Sequence, residues 1–211
     1  METEEFWRRG IAFGSGFIYW TGVWVQAKRV RRHIGKSPNV KPRGTKEKLL
    51  WVGWLIVVLA WLSQPWIAGS VANSPFLRLN PSLQNPATLV LGITLTVAGY
   101  AGTLWCYAAM GDRWRMGINR QEKTTLVSRG PYRFARHPIY FFQIIMLGGV
   151  ASLLPTLLSL AILVLHLVCA HVKARDEENY LLSVHGQDYR DYASRTGRFW
   201  PRMARKTRRA R

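Results

Sequence analysis

The sequence predicts an all-α integral membrane protein with five transmembrane helices, the last two forming a helical hairpin. The first observation is that residues 10–27, 49–72, 87–110 and 138–170 contain no Asp, Glu, Lys or Arg, although the 211-residue chain carries 30 basic and 11 acidic residues. Apolar segments of about 20 residues match the thickness of a bilayer, whereas helices of soluble domains carry polar residues on every turn. A soluble globular fold is therefore excluded.

The last charge-free segment is too long for a single span. As one helix, residues 138–170 would rise about 50 Å, whereas the apolar slab is about 30 Å thick. Pro155 lies in the middle of the segment, shortly after Gly148, Gly149 and Ser152. Because proline interrupts a helix, we expect two short helices at about residues 140–153 and 156–172, joined by a tight turn.

The distribution of basic residues predicts the orientation. With five spans, residues 28–48, 111–137 and 173–211 lie on one side of the membrane, and they contain 27 of the 30 Lys and Arg. Basic residues accumulate in cytoplasmic loops, so we expect the N-terminus outside and the C-terminus in the cytoplasm. This charge also favours the lipid bilayer as a partner. A nucleic acid partner is not expected, because the basic residues flank spans and do not form a stripe on a soluble domain.

Ionisable and aromatic residues concentrate on both sides of the predicted hairpin, in residues 126–140 and 171–192. Because the two helices cross the membrane and return, Arg136 and Glu177 should emerge on the same face, where they can pair. His137 can orient or donate to an anionic group. Ionisable groups at a membrane boundary are candidates for function.

These residues form a motif that is similar to that of a known family. The motif is Gly130-x-Tyr132-x-x-x-Arg136-His137-Pro138-x-Tyr140, then Glu177-Glu178, then Gly186-x-x-Tyr189-x-x-Tyr192. It resembles the isoprenylcysteine carboxyl methyltransferase family over roughly residues 88–201, and residues 111–117 look more like its bacterial members. The resemblance implies an integral membrane enzyme that uses S-adenosylmethionine (SAM), with a C-terminal cytoplasmic segment completing the cofactor pocket.

The resemblance also implies site residues. The cofactor contacts of the family would fall on Thr124, Thr125, Leu126, Val127, Tyr132, His137, Pro138, Ile139, Tyr140 and Glu177. Substrate contacts would fall on Lys173 and Arg175. On this interpretation, residues 1–87 form a two-span region with a basic cytoplasmic loop, residues 88–201 a three-span catalytic region, and residues 202–211 a disordered basic tail.

Methyl transfer needs orientation and exclusion of water more than acid–base chemistry. Arg136 or Lys173 would hold a carboxylate acceptor, and Glu178 would act as base for a thiol or amine, since Glu177 is committed to the cofactor. A pocket at the bilayer edge favours a lipophilic acceptor that enters laterally, and Phe141, Phe142 and Ile145 could line its path or simply pack.

The first two spans are expected to serve packing through Gly14, Gly16 and Gly22. Trp51 lies near a predicted span end, where an indole is typical of the membrane interface. Both assignments leave the N-terminal region without a role in the site.

Two alternatives remain. The C-terminal motif is also similar to that of membrane sterol reductases, which bind NADPH but have about twice as many spans. A non-enzymatic scaffold or transporter would not require His, Arg and Glu at one face. A soluble SAM-binding fold would need a glycine-rich turn between a strand and a helix, and no such turn is present. The five histidines include no HExxH and no Cys/His cluster, so no metal site is predicted.

Overall fold

The computed structural model describes residues 2–42, 44–70, 74–117 and 125–202. These residues form five α-helices: α1 (Glu2–Ile34), α2 (Thr45–Ile67), α3 (Pro86–Met110), α4 (Pro138–Leu153) and α5 (Leu157–Arg195). Short 3-10 turns at Pro81–Leu83, Gly111–Arg113 and Gly130–Arg133 lie in the connections. The all-helical prediction is confirmed for the described part of the chain. Of the predicted basic tail, residues 203–211 lie outside it, as does Thr124.

Three helical segments are long and apolar enough to cross a bilayer: Thr45–Ile67, Pro86–Arg113 and Leu157–Arg195. The α4 helix is also apolar but has only 16 residues. The α1 helix has 33 residues but is less apolar than the others. The chain is therefore an integral membrane protein, and the count of five spans stays a prediction.

The predicted hairpin is present. The α4 helix begins at Pro138, which suits the first helical position because its missing N–H would have no helical partner. It ends at Leu153, two residues before Pro155. The side chain of Thr156 then caps α5 by accepting a hydrogen bond from the Ser159 N–H. The bounds of the turn agree with the sequence prediction because the interruption of a helix by proline is a local effect.

The α5 helix is longer than the predicted span. It continues past residue 172 to Arg195, with a break in helical geometry at Gly186, whose φ is +52°. Only glycine adopts this conformation without strain. The ionisable residues after the hairpin therefore lie on a helix that projects beyond the apolar segment.

Close packing of α3 on α4 depends on two glycines. A Cβ atom at Gly99 would lie 2.7 Å from the Met146 Cβ, and one at Gly102 would lie 2.1 Å from the Phe142 ring. Small residues let two helix backbones approach inside a membrane, where packing drives association. This contact fixes the position of α4, which begins with the predicted site motif.

At one end of the bundle, two arginines of α1 bind the ends of neighbouring helices. Arg8 is 1% exposed and donates hydrogen bonds to the carbonyl oxygens of Ser152 at 3.3 Å and Asn85 at 2.5 Å. Arg9 donates to the carbonyl oxygens of Pro65 at 2.5 Å and Ala68 at 2.6 Å. The Ser152 and Pro65 carbonyls lie in the last turns of α4 and α2, where carbonyls lack helical partners, so the guanidinium groups satisfy them.

Candidate functional site

A cavity of about 560 Å³ opens at the other end of the bundle, where the basic connections meet. Its volume lies within the range of about 300–1,000 Å³ that is typical of small-molecule and cofactor sites. All five helices contribute to its lining, together with residues 40–42, 113–117 and 125–127. The cavity therefore lies at the boundary between the apolar helices and the charged segments.

The loop before α4 holds the motif in place through its backbone. Gly130, with a φ of +58°, starts the turn, and the Tyr192 hydroxyl of α5 donates to the Tyr132 carbonyl oxygen at 2.7 Å. The Arg136 N–H donates to the Gly197 carbonyl at 2.8 Å, and the His137 N–H donates to the Arg198 carbonyl at 2.9 Å. Residues 135–137 are thus fixed by a segment that follows α5.

Arg136 pairs with Glu178 and not with Glu177. The Arg136 Nε donates to the Glu178 Oε1 at 2.9 Å, and its Nη1 donates to the Thr196 carbonyl at 2.6 Å and the Ala193 carbonyl at 3.1 Å. Consecutive residues on a helix point about 100° apart. The sequence predicts that both glutamates lie on the same side of the membrane, but it does not decide which of them meets Arg136. The tertiary packing selects Glu178.

Glu178 is the centre of an ionic cluster. Besides Arg136, it accepts two hydrogen bonds from Arg198, at 3.0 Å from Nε and 2.6 Å from Nη2. The Nε2 of His137 lies 3.4 Å from its Oε1. Partial burial raises the pKa of Glu178, but its contacts with His137, Arg198 and Arg136 outweigh this effect and hold the pKa well below its usual range. A carboxylate held in this way is a weak base.

Glu177 instead joins His137 and Tyr140. The His137 Nδ1 lies 3.3 Å from the Glu177 Oε2, and the Tyr140 hydroxyl donates to the Oε1 at 3.1 Å. Burial lowers the pKa of His137, but the two glutamates have the larger combined effect and raise it above its ordinary value. The cavity wall therefore carries a carboxylate that lies within hydrogen-bonding reach of both a readily protonated imidazole and a phenol.

Most predicted site residues meet at this cavity. The lining includes Thr125, Leu126, Val127, Tyr132, Arg136, His137, Ile139, Tyr140, Lys173 and Glu177. Three others are placed elsewhere: Pro138 is buried as the first residue of α4, Glu178 lies behind the lining, and Arg175 is exposed on the outer surface of α5. Thr124 lies outside the described residues.

The expected acceptor path along α4 does not coincide with the cavity. Phe141 packs against Trp200 with ring centroids 4.8 Å apart, and Phe142 packs against Gly102 of α3. Neither residue lines the cavity, and neither does Ile145. The packing role, which the sequence left open as the alternative, describes Phe141 and Phe142.

The comparisons with known proteins agree with the motif. Residues 90–183 match the family model described as the isoprenylcysteine carboxyl methyltransferase (ICMT) family. We call this matching segment, residues 90–183, the ICMT segment. Two curated relatives carry other names. The nickel-cobalt-cadmium resistance protein NccN of Alcaligenes xylosoxydans xylosoxydans is 30% identical over 115 residues, which cover 54% of this chain and 49% of that protein.

The second relative is the cobalt-zinc-cadmium resistance protein CzcN of Cupriavidus metallidurans. It is 29% identical over 121 residues, which cover 57% of this chain and 52% of that protein. The chain spans about half the length of both curated relatives. Within the described ranges, no three His, Cys, Asp or Glu side chains are placed to share a metal ion.

The ICMT segment forms only part of the cavity. The α1 helix contributes Tyr19, Trp20 and Val23, and the α2 helix contributes Glu47, Leu50, Trp51, Trp54, Leu55 and Val58, all outside residues 90–183. Sequence reasoning missed these residues because it assigned both helices to packing and Trp51 to the interface. The signal that could have found them is the spacing of residues 50, 54 and 58, which places them along one face of α2.

The two ends of the cavity differ in polarity. Lys41, Arg113 and Lys173 line it near the basic connections, together with Arg136 and Glu177. Tyr19, Trp20, Val23, Leu55 and Val58 line it deeper among the helices. We call the first set the polar lobe and the second the apolar lobe. The Gln143 amide of α4 donates to the Tyr19 hydroxyl within the apolar lobe.

Proposed function

We propose that the protein is a membrane methyltransferase that transfers a methyl group from SAM to a lipophilic acceptor. The observation that carries this proposal is a cavity whose polar lobe is lined by residues of the motif and whose apolar lobe extends among α1 and α2. An amphiphile with a nucleophilic head and an apolar chain matches this division.

The side chains present fit SAM, whose bound form supplies a methyl group on a sulfonium. Glu177 lines the polar lobe and can accept hydrogen bonds from a ribose or an ammonium. Arg136 uses Nε and Nη1 for Glu178 and two backbone carbonyls, which leaves its Nη2 for a carboxylate. Tyr132, Ile139 and Val127 provide aromatic and aliphatic surface for an adenine.

The protein acts mainly by orientation. Arg136, in the loop before α4, and Lys173 of α5 both line the cavity and can direct a carboxylate head, which needs no base. For a thiol or amine head, Glu177 is the glutamate of the motif that lines the cavity, and we assign Glu178 an anchoring role because its low pKa makes it a weak base. Lys173 is the stronger candidate for substrate contact, because Arg175 is exposed and does not line the cavity.

Titration of the detergent-purified protein tests the proposal. We expect S-adenosylhomocysteine, the product form of the cofactor, to bind in calorimetry and NADPH not to bind. The two ligands separate the methyltransferase from the sterol-reductase-like alternative. Binding of NADPH without binding of S-adenosylhomocysteine would replace the proposal with a reductase, and binding of neither would favour a non-enzymatic protein.

A further inference from the structure

The segment after α5 folds back against the site without entering it. Residues 196–200, which we call the C-terminal strap, lie beyond the ICMT segment and do not line the cavity. Their backbone binds residues 135–137, and the Phe199 ring lies 6.1 Å from the His137 ring and 6.4 Å from the Tyr140 ring, between centroids. The strap therefore covers the side of the motif that faces away from the cavity.

The turn of the strap is tight. A Cβ atom at Gly197 would lie 1.8 Å from the Trp200 carbonyl oxygen, so any other residue would push the turn open. This geometry places Arg198 beside α5, where its guanidinium donates hydrogen bonds to both carboxylate oxygens of Glu178. Two parallel hydrogen bonds to one carboxylate fix its orientation as well as its position.

Glu178 connects Arg198 to two residues of the cavity wall. Its side chain is 14% exposed, and its Oε1 contacts both the Arg136 Nε and the His137 Nε2. Arg136 and His137 line the cavity, whereas Glu178 and Arg198 do not. The contacts thus connect Arg198, which lies outside the lining, with Arg136 and His137, which line the cavity.

We propose that Arg198 is a positioning residue that orients Arg136 and His137 through Glu178. The effect on ligand binding rests on the proposed function, because Arg136 and His137 are among the residues assigned to SAM and the acceptor. The contacts themselves do not depend on that function, so they can be tested without a ligand.

The proposal has an electrostatic consequence at His137. The charged or titratable groups around this imidazole are Glu177 and Glu178 of α5, Arg136 of the loop, Tyr140 of α4 and Arg198 of the strap. Without the positive charge of Arg198, Glu178 interacts more strongly with His137. We therefore expect the pKa of His137 to rise when Arg198 is neutralised.

The first arm of the test uses Arg198→Gln without any ligand. Histidine-labelled protein in detergent is titrated by NMR, and the His137 signal is assigned by its loss in His137→Asn. We expect the pKa of His137 to rise by about 0.5 to 1 pH unit. Arg195→Gln is the matched control, because Arg195 is exposed and donates to the Asp191 carbonyl of its own helix.

The second arm measures affinity for S-adenosylhomocysteine. We expect Arg198→Gln to weaken binding about tenfold, as for one lost charge-assisted hydrogen bond, and Arg195→Gln to leave it unchanged. Arg198→Lys keeps the positive charge but cannot form two parallel hydrogen bonds to the Glu178 carboxylate. In Arg198→Lys we expect the pKa of His137 to match that of the wild type, whereas the affinity for S-adenosylhomocysteine recovers only in part. General destabilisation would not separate these two measurements.

The outcomes separate the two proposals. If the wild type does not bind S-adenosylhomocysteine, the proposed function fails and the NMR arm still decides the role of Arg198. If Arg198→Gln leaves both the pKa of His137 and the affinity as in Arg195→Gln, the positioning role is wrong. If Arg198→Gln does not fold, Arg198→Lys decides: reduced affinity with an unchanged pKa supports the role, and no change in either overturns it.

Discussion

Two adjacent glutamates of α5 have different tasks because their side chains point in different directions. Glu177 lines the cavity beside His137 and Tyr140, whereas Glu178 lies behind the lining and forms ion pairs with Arg136 and Arg198. The sequence presents them as an equivalent pair. Their surroundings make Glu177 the group available to a ligand and Glu178 the group that holds other side chains.

Three substitutions in the cavity wall should reduce ligand binding without unfolding the protein. We expect Arg136→Ala, His137→Ala and Glu177→Ala each to weaken S-adenosylhomocysteine binding or turnover by at least about tenfold, or about 1.4 kcal/mol, because each removes a charged contact. Calorimetry and a radiolabelled methyl-transfer assay measure the effect. The control is Arg133→Ala, an exposed arginine of the same loop that does not line the cavity. Equal damage by the control would favour general loop charge over a specific site.

Glu178 should make the stability of the protein depend on pH in acid. Its folded-state pKa is lowered, so its contribution is fully present above the unfolded value of about 4.3 and is lost as pH falls below it. Glu178→Gln should therefore be less stable than the wild type at pH 7, and the difference should shrink below about pH 4. Thermal unfolding in detergent at several pH values measures this gap. A gap that stays constant, as we expect for the exposed Asp188→Asn, would contradict the ionic role.

The helices outside the ICMT segment form the part of the cavity that suits an apolar chain. Along α2, the lining runs from Glu47 to Val58, a rise of about 16 Å from the charged end toward the middle of the helix. The lining residues come from one face of α2, and Ile56 on another face is 51% exposed. We infer that α2 sets the length of chain that the cavity accepts.

Filling the deep end of the cavity should select against long acceptors. We expect Val58→Trp to reduce methylation of a prenyl-length thiol or carboxylate by about tenfold or more, because the indole occupies the space of the chain. Affinity for S-adenosylhomocysteine and turnover of a short-chain analogue should be retained. Ile56→Trp is the control on the same helix. Equal loss in both variants, or equal use of short and long acceptors by the wild type, would contradict the lipophilic acceptor.

The basic residues and the packing of the bundle agree on which segments share an end. The cavity gathers residues 40–42, 113–117 and 173–181 at one end, whereas Arg8 and Arg9 bind Asn85, Ser152 and Ala68 at the other. The first group belongs to the connections that hold 27 of the 30 Lys and Arg. We therefore propose that the cavity opens to the cytoplasm.

Cysteine labelling in intact cells tests this orientation. In a background without Cys106 and Cys169, we expect Ser37→Cys and Arg133→Cys to resist an impermeant maleimide and Ser82→Cys to react, because of these three positions only residue 82, in the connection before α3, lies outside. All three positions are exposed on the protein. Labelling of residues 37 and 133 from outside would reverse the orientation or change the number of spans.

Local patterns determined the helices and the motif. Charge-free segments and Pro155 predict the bounds of α3, α4 and the start of α5 to within about two residues, because hydropathy and the effect of proline on a helix are local properties of the chain. The motif around Arg136 and Glu177 also indicated the family, and ten of the predicted site residues line one cavity.

Only the tertiary structure decided the partners and the remaining walls. The choice of Glu178 by Arg136, the role of Trp54 in the cavity and the return of residues 196–200 to the motif depend on angles and distances between segments far apart in sequence. Helical periodicity places each residue on a face of its own helix, but it does not state which helix that face meets. That information comes from packing, where Gly99 and Gly102 let α4 approach α3 and the strap closes on His137.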